Sequence, residues 1–165
     1  MPKRPILHWP DKRLAMSANP IGKVTDETRA IWNDMIDTME AMPGWGLAAP
    51  QIGVMQRLAV VDPSEERGKA VRMADPEIIA VSPETRARTE ASPCLRGVSA
   101  NVSRPVWVDV SYIDHVGIRV RQKFEDMWAV SVMHQIDHLN GKLYVANLSR
   151  TKREMLIKKS LKERG

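Results

Sequence analysis

Three observations predict an α+β fold for this chain of 165 residues. Apolar residues recur at helical spacing after Thr25, and a second apolar stretch runs up to Asn140-Gly141, so two buried helices are expected. Between them lie six short segments with the alternation or the β-branched composition of strands. Because these strands follow one another without intervening helices, we expect antiparallel sheets packed around the helices.

Local signals place the elements in order. Residues 6–24 contain Pro10, Pro20 and Gly22 and few periodic apolar residues, which predicts an irregular lead-in. Thr25 or Asp26 can cap the first helix, and Pro43-Gly44 ends it. The apolar stripe of this helix, predicted to lie in the core, comprises Ile31, Trp32, Met35, Ile36, Met39 and Met42. The predicted strands cover residues 57–62, 70–74, 76–81, 84–90, 106–113 and 117–124.

The composition bounds the class of protein. With 43% apolar residues, the chain is expected to form one domain over residues 1–165. No apolar run approaches the roughly 20 residues that a bilayer span requires, and the N-terminus predicts no signal peptide. A single cysteine excludes an internal disulfide and fits a reducing compartment. We therefore expect a cytoplasmic protein without membrane association.

The net charge of +5 is concentrated at the C-terminus. From Arg150 to Gly165 the chain carries seven basic and two acidic residues, which accounts for the whole excess. We predict a basic helix at about residues 150–164. Such a helix can contact a polyanion such as RNA, or it can be an ordinary solvated face, and composition leaves both open.

A segment rich in glycine and alanine follows the first helix, from Gly44 to Gly53. Its small residues allow another backbone to approach closely, and Gln51 supplies an amide that both donates and accepts hydrogen bonds. The segment lacks the G-K-[ST] spacing of a phosphate-binding loop. Alone, it is also consistent with a tight loop.

The second predicted helix carries His134 and His138, four residues apart, so that both imidazoles lie on one face and can bind one ion. Cys94 is the only thiol, and with the two histidines it completes a three-ligand set that leaves a fourth position for water. A lone cysteine is also common as a small buried hydrophobe, and spacing alone does not decide between the two. Gln135 stands where the H-E-x-x-H pattern has a glutamate.

Three blocks in order identify a family resemblance. The first, Gly44-x-Gly46-Leu47-Ala48-Ala49-Pro50-Gln51, is similar to the G-x-G-L-A-A-x-Q motif of the peptide deformylases. The second is Cys94-Leu95, matched to E-G-C-L-S, and the third is the segment from His134 to His138, matched to H-E-x-D-H. The sequence thus resembles the peptide deformylases from about Leu7 to the C-terminal helix.

The resemblance implies the fold, the reaction and the site of that family. Its members hydrolyse the formyl group from N-formylmethionyl peptides, and their C-terminal helix can dock on the ribosome. One divalent metal ion is implied, with iron expected as the physiological metal and zinc or nickel as alternatives. Its implied ligands are Cys94, His134 and His138. The oxyanion would be bound by Gln51 and the backbone N–H of Leu95, and the peptide by Gly44, Trp45, Gly46 and Arg96.

The match fails at two places. Gln135 replaces the general base, and an amide cannot carry a proton, so that a loss of about 10²–10⁴-fold in rate is expected. In the second block, Ser92, Pro93 and Arg96 stand where the motif has Glu, Gly and Ser, and the stretch from Cys94 to His134 is slightly short.

Two hypotheses follow from these departures. The chain is either a metal-dependent amidohydrolase of deformylase type with weakened or lost activity, or a non-catalytic module that binds formylated N-termini or the ribosome. A zincin protease is disfavoured because it needs the missing glutamate. A closed structural metal site is disfavoured because no fourth ligand is evident.

Overall fold

The computed structural model describes residues 4–163, which form seven strands and three α-helices. The helices are α1 (Asp26–Glu40), α2 (Asp126–Leu139) and α3 (Arg150–Lys162). The strands are β1 (Gly46–Ala48), β2 (Leu58–Val61), β3 (Val71–Val81), β4 (Thr85–Ser92), β5 (Leu95–Pro105), β6 (Trp107–Ile113) and β7 (Arg119–Glu125).

The strands form two antiparallel sheets. A sheet of five strands has the order β1-β2-β3-β6-β7, and β4 pairs with β5 as a separate hairpin. Every pairing between neighbouring strands is antiparallel, which confirms the predicted α+β class. As an end strand of its sheet, β1 pairs with β2 on one side only.

Helix α1 begins where its cap predicts. The hydroxyl of Thr25 accepts the backbone N–H of Thr28, and the Thr28 hydroxyl accepts the N–H of Thr25 in return. The helix buries most of the predicted stripe, including Trp32, against β1 and β2. Met42 is the exception, since the helix ends at Glu40 and the Met42 side chain is 37% exposed.

Helix α2 is the central element, and ten of its fourteen residues are buried. It packs against β1, β2 and β7 and carries the two histidines toward the β4–β5 hairpin. The backbone turns sharply after it at Gly141, where φ is +74°. A Cβ at this glycine would lie 2.8 Å from the carbonyl carbon of Ala15, so that only glycine fits here without displacement of the N-terminal segment.

The structure differs from the sequence-based assignment in two strands. The segments 70–74 and 76–81 form one strand, β3, which is interrupted by an irregularity around Asp75 with φ at +46°. Strand β5 was not predicted. Its residues alternate between buried and exposed from Ser99 onward, but the buried positions include Ala100 and Arg104, so that apolar periodicity is absent.

Helix α3 packs on β5 and buries only Leu156 and Ser160. The Ser160 hydroxyl donates to the carbonyl of Arg96 over 2.7 Å, which fixes the helix beside the hairpin. The predicted basic helix is therefore present from Arg150 to Lys162, and Arg164 lies outside the residues that the structure describes. From residue 4 to residue 163, none of the helices has the length and apolarity needed to cross a membrane.

Candidate functional site

An open cleft of about 400 Å³ lies between β1, β4 and α2. Its walls combine an apolar rim with polar groups from α2. The lining residues are Met42, Pro43, Gly44, Trp45, Gly46, Gln51, Thr89, Glu90, Ala91, Pro93, Val130, Ser131, His134 and Gln135. The cleft thus brings together the first and third sequence blocks, which are more than 80 residues apart.

The β1 side of the cleft is built by close approach of backbone to helix. The Ser131 hydroxyl donates to the carbonyl of Trp45 over 2.8 Å. A Cβ on Gly46 would lie 2.6 Å from Nε2 of Gln135 and 2.9 Å from Oγ of Ser131. Glycine is therefore required for α2 to pack this close to β1. Gly44, Trp45 and Gly46, predicted to bind the peptide, all line the cleft.

His134 and His138 lie side by side, with ring centroids 5.1 Å apart, as their spacing predicts. Nδ1 of His134 lies 2.8 Å from a carboxylate oxygen of Glu90. Since an ionised carboxylate only accepts hydrogen bonds, Nδ1 of His134 is the donor in this contact. The His134 ring also stacks on Tyr144, with centroids 5.9 Å apart.

Glu90 belongs to a buried charge network that the sequence did not reveal. Arg104 donates to both carboxylate oxygens of Glu90 over 2.6 and 2.9 Å, and its guanidinium lies 3.1 Å from Asp137. Burial alone would raise the pKa of Glu90, but hydrogen bonds from His134 and Arg104 and the charge of Arg104 lower it below the ordinary value. Glu90 is therefore an ionised carboxylate that orients His134.

The structure places Cys94 in the turn of the hairpin and directs it into an apolar cluster. Pro93 and Cys94 join β4 to β5, and Cys94 packs with Leu14, Leu95 and Tyr144. Its Sγ accepts a hydrogen bond from Nε2 of Gln51 over 3.4 Å. Burial raises the pKa of this thiol to about 11, against the opposing effect of its hydrogen bonds, so that it is neutral at pH 7.

Ser92, two residues earlier at the end of β4, is the side chain that faces the second histidine. Its Oγ lies 3.5 Å from Nε2 of His138 and accepts the backbone N–H of Cys94 over 3.3 Å. His138 is 1% exposed. Burial, together with the nearby charges of His134 and Arg104, lowers the pKa of His138 well below its usual value, so that its ring is neutral.

The residues present do not fit the predicted metal site. Over residues 4–163, no three His, Cys, Asp or Glu side chains are grouped so that they could hold a metal ion. Cys94 is not brought together with His134 and His138 as such a set, and its side chain instead packs in the apolar cluster and hydrogen-bonds with Gln51 and Ser92. The group beside His138 is instead the hydroxyl of Ser92, which lacks the charge and softness of a thiolate.

The remaining predicted residues lie close by, with different surroundings. Gln51 accepts the N–H of Ala48 through Oε1 over 2.9 Å and donates to Cys94 through Nε2, so that its amide is engaged within the protein. Leu95 is buried at the start of β5. Arg96 lies outside the cleft, in a neighbouring groove between the hairpin and α3 that Lys159 also lines.

Gln135 lies deep in the cleft and is only 5% exposed. Its Oε1 is buried and has no hydrogen-bond partner in the part of the chain that the structure describes. An unpaired buried carbonyl is costly, by about 1–3 kcal/mol, so that a ligand or water with an N–H or O–H to donate would be favoured at this point.

Comparisons with known proteins agree with the fold. A family model described as polypeptide deformylase matches residues 3–154. A peptide deformylase of Methylocella silvestris is 40% identical over 164 residues, covering 96% of this chain and 84% of that protein. A "peptide deformylase-like" protein of Bradyrhizobium diazoefficiens is also 40% identical, over 94% of this chain and 91% of its own length. The crystal structure of an Ehrlichia chaffeensis peptide deformylase in complex with actinonin superposes with a TM-score of 0.92 at 33% identity, covering both chains fully.

Proposed function

Because the chain belongs to the polypeptide deformylase family, we propose that its cleft binds the N-formylmethionyl end of a peptide, or a related N-acyl amide, with little or no hydrolysis. The observation that carries this proposal is the neutral carboxamide of Gln135 at the position of the family's general base, with an Oε1 that is buried and has no hydrogen-bond partner within residues 4–163. The proposal covers two cases, namely a deformylase with reduced activity and a non-catalytic binding module.

The shape of the cleft supports peptide binding. The free edge of β1 offers backbone groups to an extended peptide, which can add to the sheet as a further strand. The bare backbone of Gly46 leaves this edge accessible, and Trp45 and Met42 supply apolar surface at the rim. The methionine side chain of such a peptide can pack on this apolar surface, and the backbone of the neighbouring residues can pair with β1.

The chemistry of Gln135 supports slow or absent hydrolysis. Amide hydrolysis requires a group that takes a proton from the attacking water and delivers it to the leaving amine. The carboxamide of Gln135 has the shape of a glutamate side chain but does not titrate near neutral pH. No step of the family's reaction can be assigned to a metal here, since the residues present do not form the required ligand set.

The same carboxamide is suited to hold an uncleaved amide. Rotation of the terminal amide group exchanges Oε1 and Nε2, which have almost the same shape. In that orientation the oxygen faces the cleft beside Gly46 and can accept the N–H of an N-acylated residue. A neutral acceptor also lacks the attraction of a carboxylate for the positively charged amine of a deformylated product.

The test combines binding with turnover on the tag-free protein. Calorimetry should detect a formyl-Met-Ala-Ser peptide, and Gln135→Met should bind it about 2- to 10-fold more weakly, the expected effect of one hydrogen bond. A formate assay should detect no release above that of Gln135→Met. Gln56→Met serves as the matched control, because Gln56 lines a different groove and not the cleft.

A peptide with an N-methylated formamide completes the test, because it lacks the N–H. If Gln135 accepts this N–H, the wild-type protein should discriminate against the methylated peptide and Gln135→Met should not. Absence of binding to either peptide, or rapid formate release by the wild-type protein, would refute the proposed function.

We also propose that α3 contacts RNA, as a ribosome-associated role in the cytoplasm would require. Support comes from the exposed cations along this helix, in which Leu156 and Ser160 are buried and Arg153 and Ile157 are half-buried. These cations are Arg150, Lys152, Lys158, Lys159 and Lys162.

A further inference from the structure

We propose that this chain does not hold the divalent metal on which its family depends, because Ser92 rather than Cys94 occupies the third ligand position. This inference rests on the family assignment and does not depend on which peptide the cleft binds. Under this proposal, the predicted iron site is a metal-free pocket that contains two histidines and a hydroxyl.

The first argument is the direction in which the two side chains point. Ser92 is the last residue of β4, and its Oγ faces Nε2 of His138 at 3.5 Å. Cys94 is two residues further on, across the turn, where its Sγ packs in the apolar cluster around Leu14 and hydrogen-bonds with Gln51 and with Ser92, which lies between it and His138. The position beside the histidine pair is therefore taken by an oxygen and not by a sulfur.

The second argument is the alignment of the E-G-C-L-S motif. When the motif begins at Glu90, the segment Glu90-Ala91-Ser92-Pro93-Cys94 aligns with it without a gap and keeps its glutamate, with Ser92 at the cysteine and Cys94 at the final serine. This alignment moves the ligand position two residues earlier. It thereby lengthens by two residues the stretch before His134, which is slightly short when the motif is aligned on Cys94.

The contacts of Glu90 support this alignment independently. The carboxylate binds Nδ1 of His134 and the guanidinium of Arg104, which is the arrangement expected of a group that orients a metal-ligating imidazole. The supporting shell of the site is thus in place around Glu90. What has changed is the ligand that follows it by two residues.

The third argument is the chemistry of the donor set. Where two histidines hold catalytic zinc or ferrous iron, the third protein ligand is typically an anion such as a carboxylate, and a thiolate can supply the same charge. A serine hydroxyl remains neutral at pH 7 and is a poor ligand for these ions. Because Ser92 and Gln135 are both neutral, the pocket lacks the anionic metal ligand and the general base. The family's hydrolysis reaction needs both.

Cobalt(II) provides a direct test, because a cobalt–thiolate bond has an intense near-ultraviolet charge-transfer band that a cobalt–imidazole bond lacks. The tag-free full-length protein, Ser92→Cys and Cys94→Ser would each be titrated with Co²⁺ and followed by absorption. We expect the wild-type protein and Cys94→Ser to bind cobalt equally weakly, without this band. Ser92→Cys should bind about 100-fold more tightly or better, since even loss of an outer-shell contact costs 10–100-fold in metal affinity.

Two results would overturn the proposal. A charge-transfer band in the wild-type protein that is lost in Cys94→Ser would make Cys94 the ligand after all. Equal cobalt affinity of folded Ser92→Cys and the wild-type protein would show that the position of Ser92 is not a ligand position. If Ser92→Cys fails to fold by circular dichroism, the comparison of the wild-type protein with Cys94→Ser decides alone, and any difference between them refutes the proposal. The peptide-binding assay is independent of all these outcomes.

Discussion

Glu90 shows how much a single buried residue decides in this molecule. Its carboxylate is 3% exposed and holds one imidazole of the site, while Arg104, at 6% exposed, is tied to both Glu90 and Asp137. Because charges this deeply buried are stable only when paired, the network fixes the hairpin to α2. The orientation of His134 and the position of β4 therefore depend on the same carboxylate.

We predict that Glu90→Gln lowers the free energy of unfolding by about 3–5 kcal/mol, the usual cost of leaving a buried charge without its partner. Arg104 would remain buried with only Asp137 as a counter-charge. Urea denaturation at pH 7 measures this effect. Glu84→Gln, an exposed position at the start of the same hairpin, is the control and should change stability by less than about 0.5 kcal/mol. A loss equal to that of the control would mean that the buried network does not stabilise the fold.

At the scale of elements, the cleft depends on the packing of β1 against α2. Strand β1 and helix α2 meet at Gly46. The carboxamide of Gln135 and the hydroxyl of Ser131 occupy the space that a side chain at position 46 would need. Gly44, two residues earlier, is less confined, since its Cβ would meet the flexible end of Met42 at 3.3 Å. The two glycines of the first motif thus have different roles.

This difference gives a matched pair of variants. We predict that Gly46→Ala lowers the free energy of unfolding by about 1–3 kcal/mol, as overpacking usually does, and weakens peptide binding because β1 is displaced. Gly44→Ala should leave stability nearly unchanged. Thermal denaturation and calorimetry on both variants check this. Equal effects of the two substitutions would contradict the close packing at Gly46.

At the scale of the whole molecule, the excess positive charge and the candidate site lie in different parts of the fold. The cleft and the buried network lie between the sheets, whereas the excess positive charge lies on the outer face of α3. Since α3 packs on β5 next to the hairpin, a polyanion bound along it would lie beside the cleft without entering it.

We predict that the protein co-sediments with ribosomes at low salt and that Lys158→Glu combined with Lys159→Glu reduces this binding. Each lost phosphate contact should also lower the slope of log affinity against log salt by about 0.7–0.9. The double variant Lys12→Glu with Lys23→Glu changes the net charge by the same amount at exposed lysines outside α3. It should reduce ribosome binding less. Equal losses in the two double variants would mean that net charge, and not α3, attracts the ribosome.

The sequence by itself determined the features that depend on local spacing. The i, i+4 separation of His134 and His138 placed them on one helix face, and the cap at Thr25 set the start of α1. The three ordered blocks indicated the family, and the family supplied the fold. Gln135 was evident from its place between the histidines.

Only the tertiary structure decided which groups meet. Glu90, Arg104 and Asp137 come from three different elements, and no periodicity in the sequence links them. The match of Cys94-Leu95 to two letters of the motif favoured Cys94 as the ligand, but a side chain at the end of a strand and one in the following turn have different surroundings. The turn directs Cys94 into the core and leaves Ser92 facing His138, and that geometry follows from how the chain packs rather than from local sequence.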